Sequence, residues 1–220
     1  IRGFNATDER MNFYRGMINY IEDRRVDSLV FKSSPGYKGY YHTLYSKYFN
    51  HNNITKGLKS TMYRDVDFES YMFRIINFTN KGTDLNSLPR LRDIYRKIDM
   101  KNILRLKSTD DTIELAKSIC DIVFKMVDEA KSNGDGTDEN NEEREGGDDI
   151  DSKSGSSSNG EGTEIDTGDG EMTPEDDATE SDTVEGEEIS DRVKNAVKRL
   201  FDKEKELLDG KVKKTKLTKK

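Results

Sequence analysis

The chain has one cysteine and two histidines in 220 residues. A lone Cys120 excludes an internal disulfide and any Cys-based metal knuckle, and it suits a reducing compartment. No apolar run approaches the roughly 18–20 residues of a membrane span, and no signal-peptide pattern opens the sequence. The expectation is therefore a cytoplasmic protein with no membrane partner. Hydrophobic residues make up only 31% of the chain and charged residues 37%, against about 45–50% and 25% in an average globular domain. Residues 132–191 contain no aromatic side chain. No stretch alternates with period two over six residues, so strands are not expected.

What is present is charge, and it is segregated. Residues 1–131 carry a net +6, residues 132–191 a net −21 and residues 192–220 a net +8. The middle stretch holds 23 Asp/Glu against only Arg144 and Lys153. Such a stretch cannot bury enough apolar surface to offset its conformational entropy. Residues 132–189 therefore read as a long disordered acidic linker. It carries no calcium loop: no window combines the acid spacing, the Gly and the Glu at position twelve that an EF-hand needs. The basic tail and acidic tract can attract each other in a salt-dependent way. Nucleic-acid binding through residues 192–220 is the sharper reading of the same charges.

Before the linker, apolar spacing is helical. Thr7 or Asp8 caps a first helix with Tyr14, Met17, Ile18 and Ile21 at i, i+3, i+4, i+7, continued by Arg25, Leu29 and Val30. Pro35 and Gly36 end it. A second helix carries Tyr37, Tyr40, Tyr41, Leu44, Tyr45, Tyr48 and Phe49, a face dense enough in aromatics to read as core. His51, Asn52 and Asn53 read as a polar break. A third helix starts at Asp67 and runs to about Asn80. A fourth follows Ser87-Leu88-Pro89, with Ser87 as a cap residue close to a Pro near the helix start, and carries Leu91, Ile94, Tyr95 and Ile98. Ser108, Thr109 and Asp110 cap a last one that turns Ile113, Ala116, Ile119, Cys120, Val123 and Val127 inward. The fold class is thus all-α: a bundle of about five helices over residues 1–131. After the linker comes one amphipathic helix over residues 190–210 and a basic tail over 211–220. That helix contains Val193, Ala196, Val197, Leu200, Phe201, Glu204, Leu207 and Leu208. Alone it is marginal in water, so it needs a partner surface in this chain or another.

The residues best able to do chemistry are in the segment Asn19, Tyr20, Ile21, Glu22, Asp23, Arg24, Arg25, Val26, Asp27. Asp23 and Asp27 share a helix face at i, i+4. Composition alone makes this a solvated charged face with internal Asp–Arg pairs. The pattern Asn-x-x-Glu-Asp-x-Arg-hydrophobic-Asp, followed by Pro35, Gly36 and Tyr37, resembles a block of large von Willebrand factor A-domain proteins. These include the CobT-type cobaltochelatase subunit and its relatives in tailed bacteriophages. In that layout a helical N-terminal part and an acidic linker precede a C-terminal A domain. The segment from Ala196 through Phe201 to Lys214 resembles the stretch just before the A domain.

The resemblance implies a fragment, with sequence missing upstream of Ile1 and an A domain missing downstream. It implies the host cytoplasm if the chain is phage-encoded. The implied work is protein assembly with a protein partner, of which a ring ATPase is one kind, and with Mg in the missing A domain. Some relatives carry His-Glu-x-x-His upstream of this block. Such a metallopeptidase-like domain would use Glu22 as a third zinc ligand, with Asp23 or Asn19 behind it. This chain contains no His-Glu-x-x-His, and its histidines, His42 and His51, do not form a chelating pair. It contains no complete catalytic motif. Nor does Asp151-Ser152-Lys153-Ser154 meet the Asp-x-Ser-x-Ser pattern of an A-domain metal site, because Lys153 stands where the first Ser belongs.

Overall fold

A computed structural model describes residues 8–134 and 184–211, and over these residues the protein is all-α. Seven α-helices follow in order: α1 Asp8–Ser33, α2 Lys38–Lys47, α3 Asn52–Lys59, α4 Phe68–Ile76, α5 Leu91–Ile98, α6 Thr109–Gly134 and α7 Asp191–Leu208. Two 3-10 segments, Pro35–Tyr37 and Met100–Arg105, join them. Most of the acidic stretch expected as a linker lies outside the described residues. Residues 132–134 belong to the end of α6, and 184–189 lead into α7. No helix among the described residues is long and apolar enough to cross a membrane.

The two long helices, α1 and α6, pack antiparallel. Arg10 near the start of α1 pairs with Asp128 near the end of α6, while Glu22 meets Thr109 and Thr112 at the start of α6. The start of α6 is a capping box. The Ser108 hydroxyl accepts from Asp111 N–H at 3.1 Å, and the Asp111 carboxylate accepts from Ser108 N–H at 3.1 Å. Along α6 the expected stripe of Ala116, Ile119, Cys120, Val123 and Val127 is buried, whereas Ile113 is exposed. Burial pushes the Cys120 thiol up to about 12, which keeps it in the unreactive protonated form.

In α1 the buried stripe is Phe13, Met17, Tyr20, Ile21 and Arg24. It is rotated from the expected one: Tyr14 and Ile18 pack at its edge, and Leu29 points to solvent. The reason is the position of α4. This short helix has Ser70 through Ile76 all buried, so it sits at the centre and draws the nearest face of α1 onto itself. Gly16 makes that approach possible, because a Cβ there would lie 2.5 Å from Met72 Cε. Asp67 caps α4 as expected, accepting from Ser70 N–H at 2.7 Å.

Two sequence expectations are corrected here. The polar break at His51–Asn53 is the start of a helix: the His51 imidazole caps α3 by accepting from Asn53 N–H at 3.1 Å, and Ile54, Leu58 and Gly57 are buried. Ser87 does not cap the helix after Pro89. Its hydroxyl donates to the Asp84 carbonyl, and α5 starts after Arg90, held left-handed at φ 60°.

The α7 helix finds its partner surface within this chain. It packs mainly on α3 and also on α1, burying Val193, Ala196, Val197, Leu200, Phe201, Glu204 and Leu208. Contact with α3 is close at Gly57, where a Cβ would lie 2.9 Å from Val197 Cγ1. Rings from three elements converge there, with Phe201 5.2 Å from Phe73 and 5.4 Å from Tyr63 between centroids. The approach to α7 is pinned by backbone, since Gly186 N–H donates to the Lys59 carbonyl and Thr61 N–H to the Glu187 carbonyl.

Candidate functional site

The charged segment of α1 turns its residues toward three different environments. Because successive residues step about 100° around a helix, Glu22, Asp23 and Arg24 must face three ways. Glu22 faces the start of α6. Its carboxylate takes both a bidentate contact from Arg25, with Nε at 2.9 Å, and the hydroxyls of Thr112 at 2.8 Å and Thr109 at 3.2 Å. These donors, Arg25 first, pull the Glu22 carboxyl down to about 2.

Asp23 faces the other way, toward α2. Burial, reinforced by Asp27 one turn on, lifts it to about 6. Asp27 accepts a short hydrogen bond from the Tyr45 hydroxyl and lies 4.0 Å from Arg24. Its carboxyl is also raised, chiefly by burial. The two residues that the resemblance marks for metal are thus divided between partners. A cation at Glu22 would have to displace the Arg25 guanidinium. Among the described residues no group of three His, Cys, Asp or Glu is placed to hold a metal ion. His42 is exposed on α2 and His51 caps α3, so neither stands beside Glu22. Asn19 reaches toward Asp209 at 3.5 Å rather than toward Glu22.

Arg24 faces inward. Its guanidinium lies 4.2 Å from the Tyr45 ring centroid and 5.1 Å from those of Tyr20 and Phe49, a cage of three aromatic faces. Beyond it lies Glu204 of α7, fully buried. One Glu204 oxygen accepts from Asn77 Nδ2 at 3.0 Å. The other has no hydrogen-bond partner, and neither do the Tyr20 hydroxyl, Arg24 Nε or Asn77 Oδ1. Burial pushes the Glu204 carboxyl up to about 8 against the pull of Asn77, Arg24 and Lys205. A second buried charge, Arg74 of α4, donates to three carbonyls: Leu58, Met62 at 2.8 Å and Tyr63 at 3.1 Å. It thereby satisfies the open end of α3 and the turn after it.

Past Asp27 the chain forms an arm: the end of α1, the Pro35–Tyr37 turn and α2. The tyrosine face expected as core is the clearest correction. No residue of α2 is buried, and Tyr37 and Tyr40 are 63% and 70% exposed. Only Phe49, beyond the helix, enters the core, with Tyr45 and Tyr48 at its edge. The arm rings contact each other instead, Phe31 to Tyr41 at 5.1 Å and Tyr41 to Tyr40 at 6.0 Å between centroids, both edge-on. Val26 and Leu29 on the adjoining turns of α1 are 41% and 45% exposed. Of the lysines described within residues 192–211, four are paired with acids. Lys194 pairs with Glu188 and Asp191, Lys203 with Glu206, Lys205 with Glu69 and Asp202, and Lys211 with Asp209. The lysines from 213 on lie outside the described residues.

Sequence reasoning placed Glu204 on the apolar side of α7 but gave it no role. The signal was there: a carboxylate in register with Val197, Leu200, Phe201 and Leu208 on a stripe that is otherwise apolar. Arg74 was missed, and only its position amid Met72, Phe73, Ile75 and Ile76 marks it. Comparison with protein-family models, curated proteins and solved structures finds no match for the chain.

Proposed function

We propose that the chain is a helical interaction module that acts in protein assembly by holding an acidic protein segment against the α1–α2 arm. The observation that carries this reading is the exposure of Tyr37 and Tyr40, together with Val26 and Leu29, on the same α1–α2 arm. Large exposed apolar and tyrosine surface on an otherwise charged protein marks a docking site. The sign of the partner follows from the charges. Between Asp27 and Asp65 the sequence has no Asp or Glu, and the arm itself carries Lys32, Lys38 and Lys47. The aliphatic pair Val26 and Leu29 favours a polypeptide with apolar side chains of its own over a phosphate backbone. Assembly is also the role that the von Willebrand factor A-type resemblance implies, and the arm is a surface through which it can act.

A photocrosslinking amino acid at position 40, in the full chain and in the cells that express it, tests the reading. A control probe at position 125, on the exposed side of α6, reports nonspecific contact. Discrete protein adducts at 40 and not at 125, diminished when Lys32, Lys38 and Lys47 are all changed to Glu, are expected. Equal adduct patterns at the two positions, or adducts indifferent to those charge reversals, contradict it.

A further inference from the structure

We infer that α7 is a pH-gated clasp, locked on the bundle while Glu204 holds a proton and loosened when that proton leaves. This is independent of the docking role of the arm. Glu204 is fully buried in the contact between α7 and the bundle, and only one of its two oxygens has a partner, the amide of Asn77 on α4. A carboxylate left half-satisfied in a fully buried interface is a high-energy species, whereas a carboxylic acid needs fewer partners and offers a donor of its own. The nearby Tyr20 hydroxyl and Asn77 Oδ1, both unpartnered, are groups that such a proton could serve.

Titratable and charged groups face Glu204 from several elements. From α1 come Tyr20 and Arg24, from α4 Asn77, from the turn before α4 Tyr63, and from α7 itself Lys205. Only Arg24 and Lys205 favour the ionised form by charge. Lys205 is turned outward to Asp202 and Glu69, and Arg24 is already shared with Asp27 and three rings. Burial outweighs them, which is why the carboxyl rises from 4.5 to about 8.

The sign follows. In the docked state Glu204 binds its proton up to about 8, and once α7 is free it does so only up to about 4.5. Between these values the docked form carries the extra proton, so docking weakens as pH rises. Below about 4.5 the effect is fully present, and above about 8 both forms are ionised and nothing more is lost. Release would uncover the apolar face of α3, with Ile54 and Leu58, together with the apolar face of α7.

Amide hydrogen exchange on the full chain tests this between pH 6.5 and 8, after correction for the intrinsic pH dependence of exchange. In the wild type, protection of residues 193–204 should fall by up to about tenfold per pH unit. In Glu204→Gln, which keeps the shape of the protonated acid, and in Glu204→Met, it should stay flat. Asp23→Asn, which removes the other strongly raised carboxyl, should keep the wild-type slope. A flat wild-type profile overturns the inference whether or not the variants fold. So does a Gln or Met variant whose protection falls in parallel with the wild type. Loss of α7 protection already at pH 6.5 in Glu204→Gln also overturns it, because the ionised acid would then be the form that holds the helix.

Discussion

The arm and the hub where α3, α4 and α7 meet carry comparable sets of rings. Tyr63, Phe73 and Phe201 in the hub lie 4.3 to 5.4 Å apart between centroids. On the arm, Tyr41 lies 5.1 Å from Phe31 and 6.0 Å from Tyr40 between centroids. The hub rings come from α4, the turn before it and α7, an element 128 residues on from Phe73 in sequence; Phe73 and Phe201 are buried and Tyr63 is partly buried at their edge. The arm rings come from two consecutive helices with no third body to cover them. Aromatic density therefore does not decide burial in this protein. The number of elements that converge decides it, and the polar groups follow: the hub encloses Arg74 and Glu204, while Tyr37 and Tyr40 of the arm stay exposed.

The strongest way to break that contrast is to remove the hub's buried cation. Arg74→Ala leaves the carbonyls of Leu58, Met62 and Tyr63 without their donor. A buried group losing a charge-assisted bond costs about 1.5–3 kcal/mol, and three are lost together, so unfolding in urea should show a loss of at least about 3 kcal/mol. Arg74→Lys should recover only part, because one ammonium cannot reproduce the planar fork. A loss under about 1 kcal/mol for the Ala variant would show that the hub is not organised around this residue.

Next in size is Gly57→Ala. The added methyl would meet the stiff β-branched Val197 at 2.9 Å. Overpacking of about 1–3 kcal/mol is offset by up to about 1 kcal/mol of helix propensity, so a net loss near 1 kcal/mol is expected, concentrated in the protection of α7. Gly57→Ala together with Val197→Ala should cost less than the sum of the two single changes, because the added methyl occupies space that the valine vacates.

Glu22 gives a smaller and pH-dependent effect. Its carboxyl is held down to about 2, so its contribution is present above about 4.5 and is lost as pH falls through about 2. Glu22→Gln should cost below about 1 kcal/mol at neutral pH, since the pair is partly exposed, and should flatten the acid limb of thermal unfolding. An unchanged acid limb would mean that Glu22 is not engaged with Arg25 and α6 in solution. The smallest effect belongs to the arm. Changing Tyr37 and Tyr40 together to Ser should leave stability within about 0.5 kcal/mol while abolishing adducts from a crosslinking probe placed at Tyr41.

Most of the helices were legible because their apolar periods and caps are local. Asp67, Ser108 and the Pro35 stop are read from a few neighbouring residues, and each lies where such a signal predicts. The failures share a cause. Asn52–Lys59 looks polar because its small buried face, Ile54 and Leu58 around Gly57, is completed by Val197, 140 residues away in sequence, so no local window contains the partner. The tyrosine face of α2 has the period of a core helix, but period alone cannot say whether anything lies opposite. The α1 segment was legible as chemically unusual, but the divergence of Glu22 and Asp23 depends on where α6 and α2 arrive. Glu204 and Arg74 were visible only as misfits, a charge on an apolar stripe.

The contrast between hub and arm rests on α7 being part of the bundle and α2 lying outside it. Amide hydrogen exchange at pH 6, resolved to single helices in the full chain, tests this most directly. The account predicts that amides of residues 193–204 are protected to the same order as those of α4, while those of α2 exchange orders of magnitude faster. Exchange of α7 at the rate of a free peptide, or protection of α2 equal to that of α4, would contradict it.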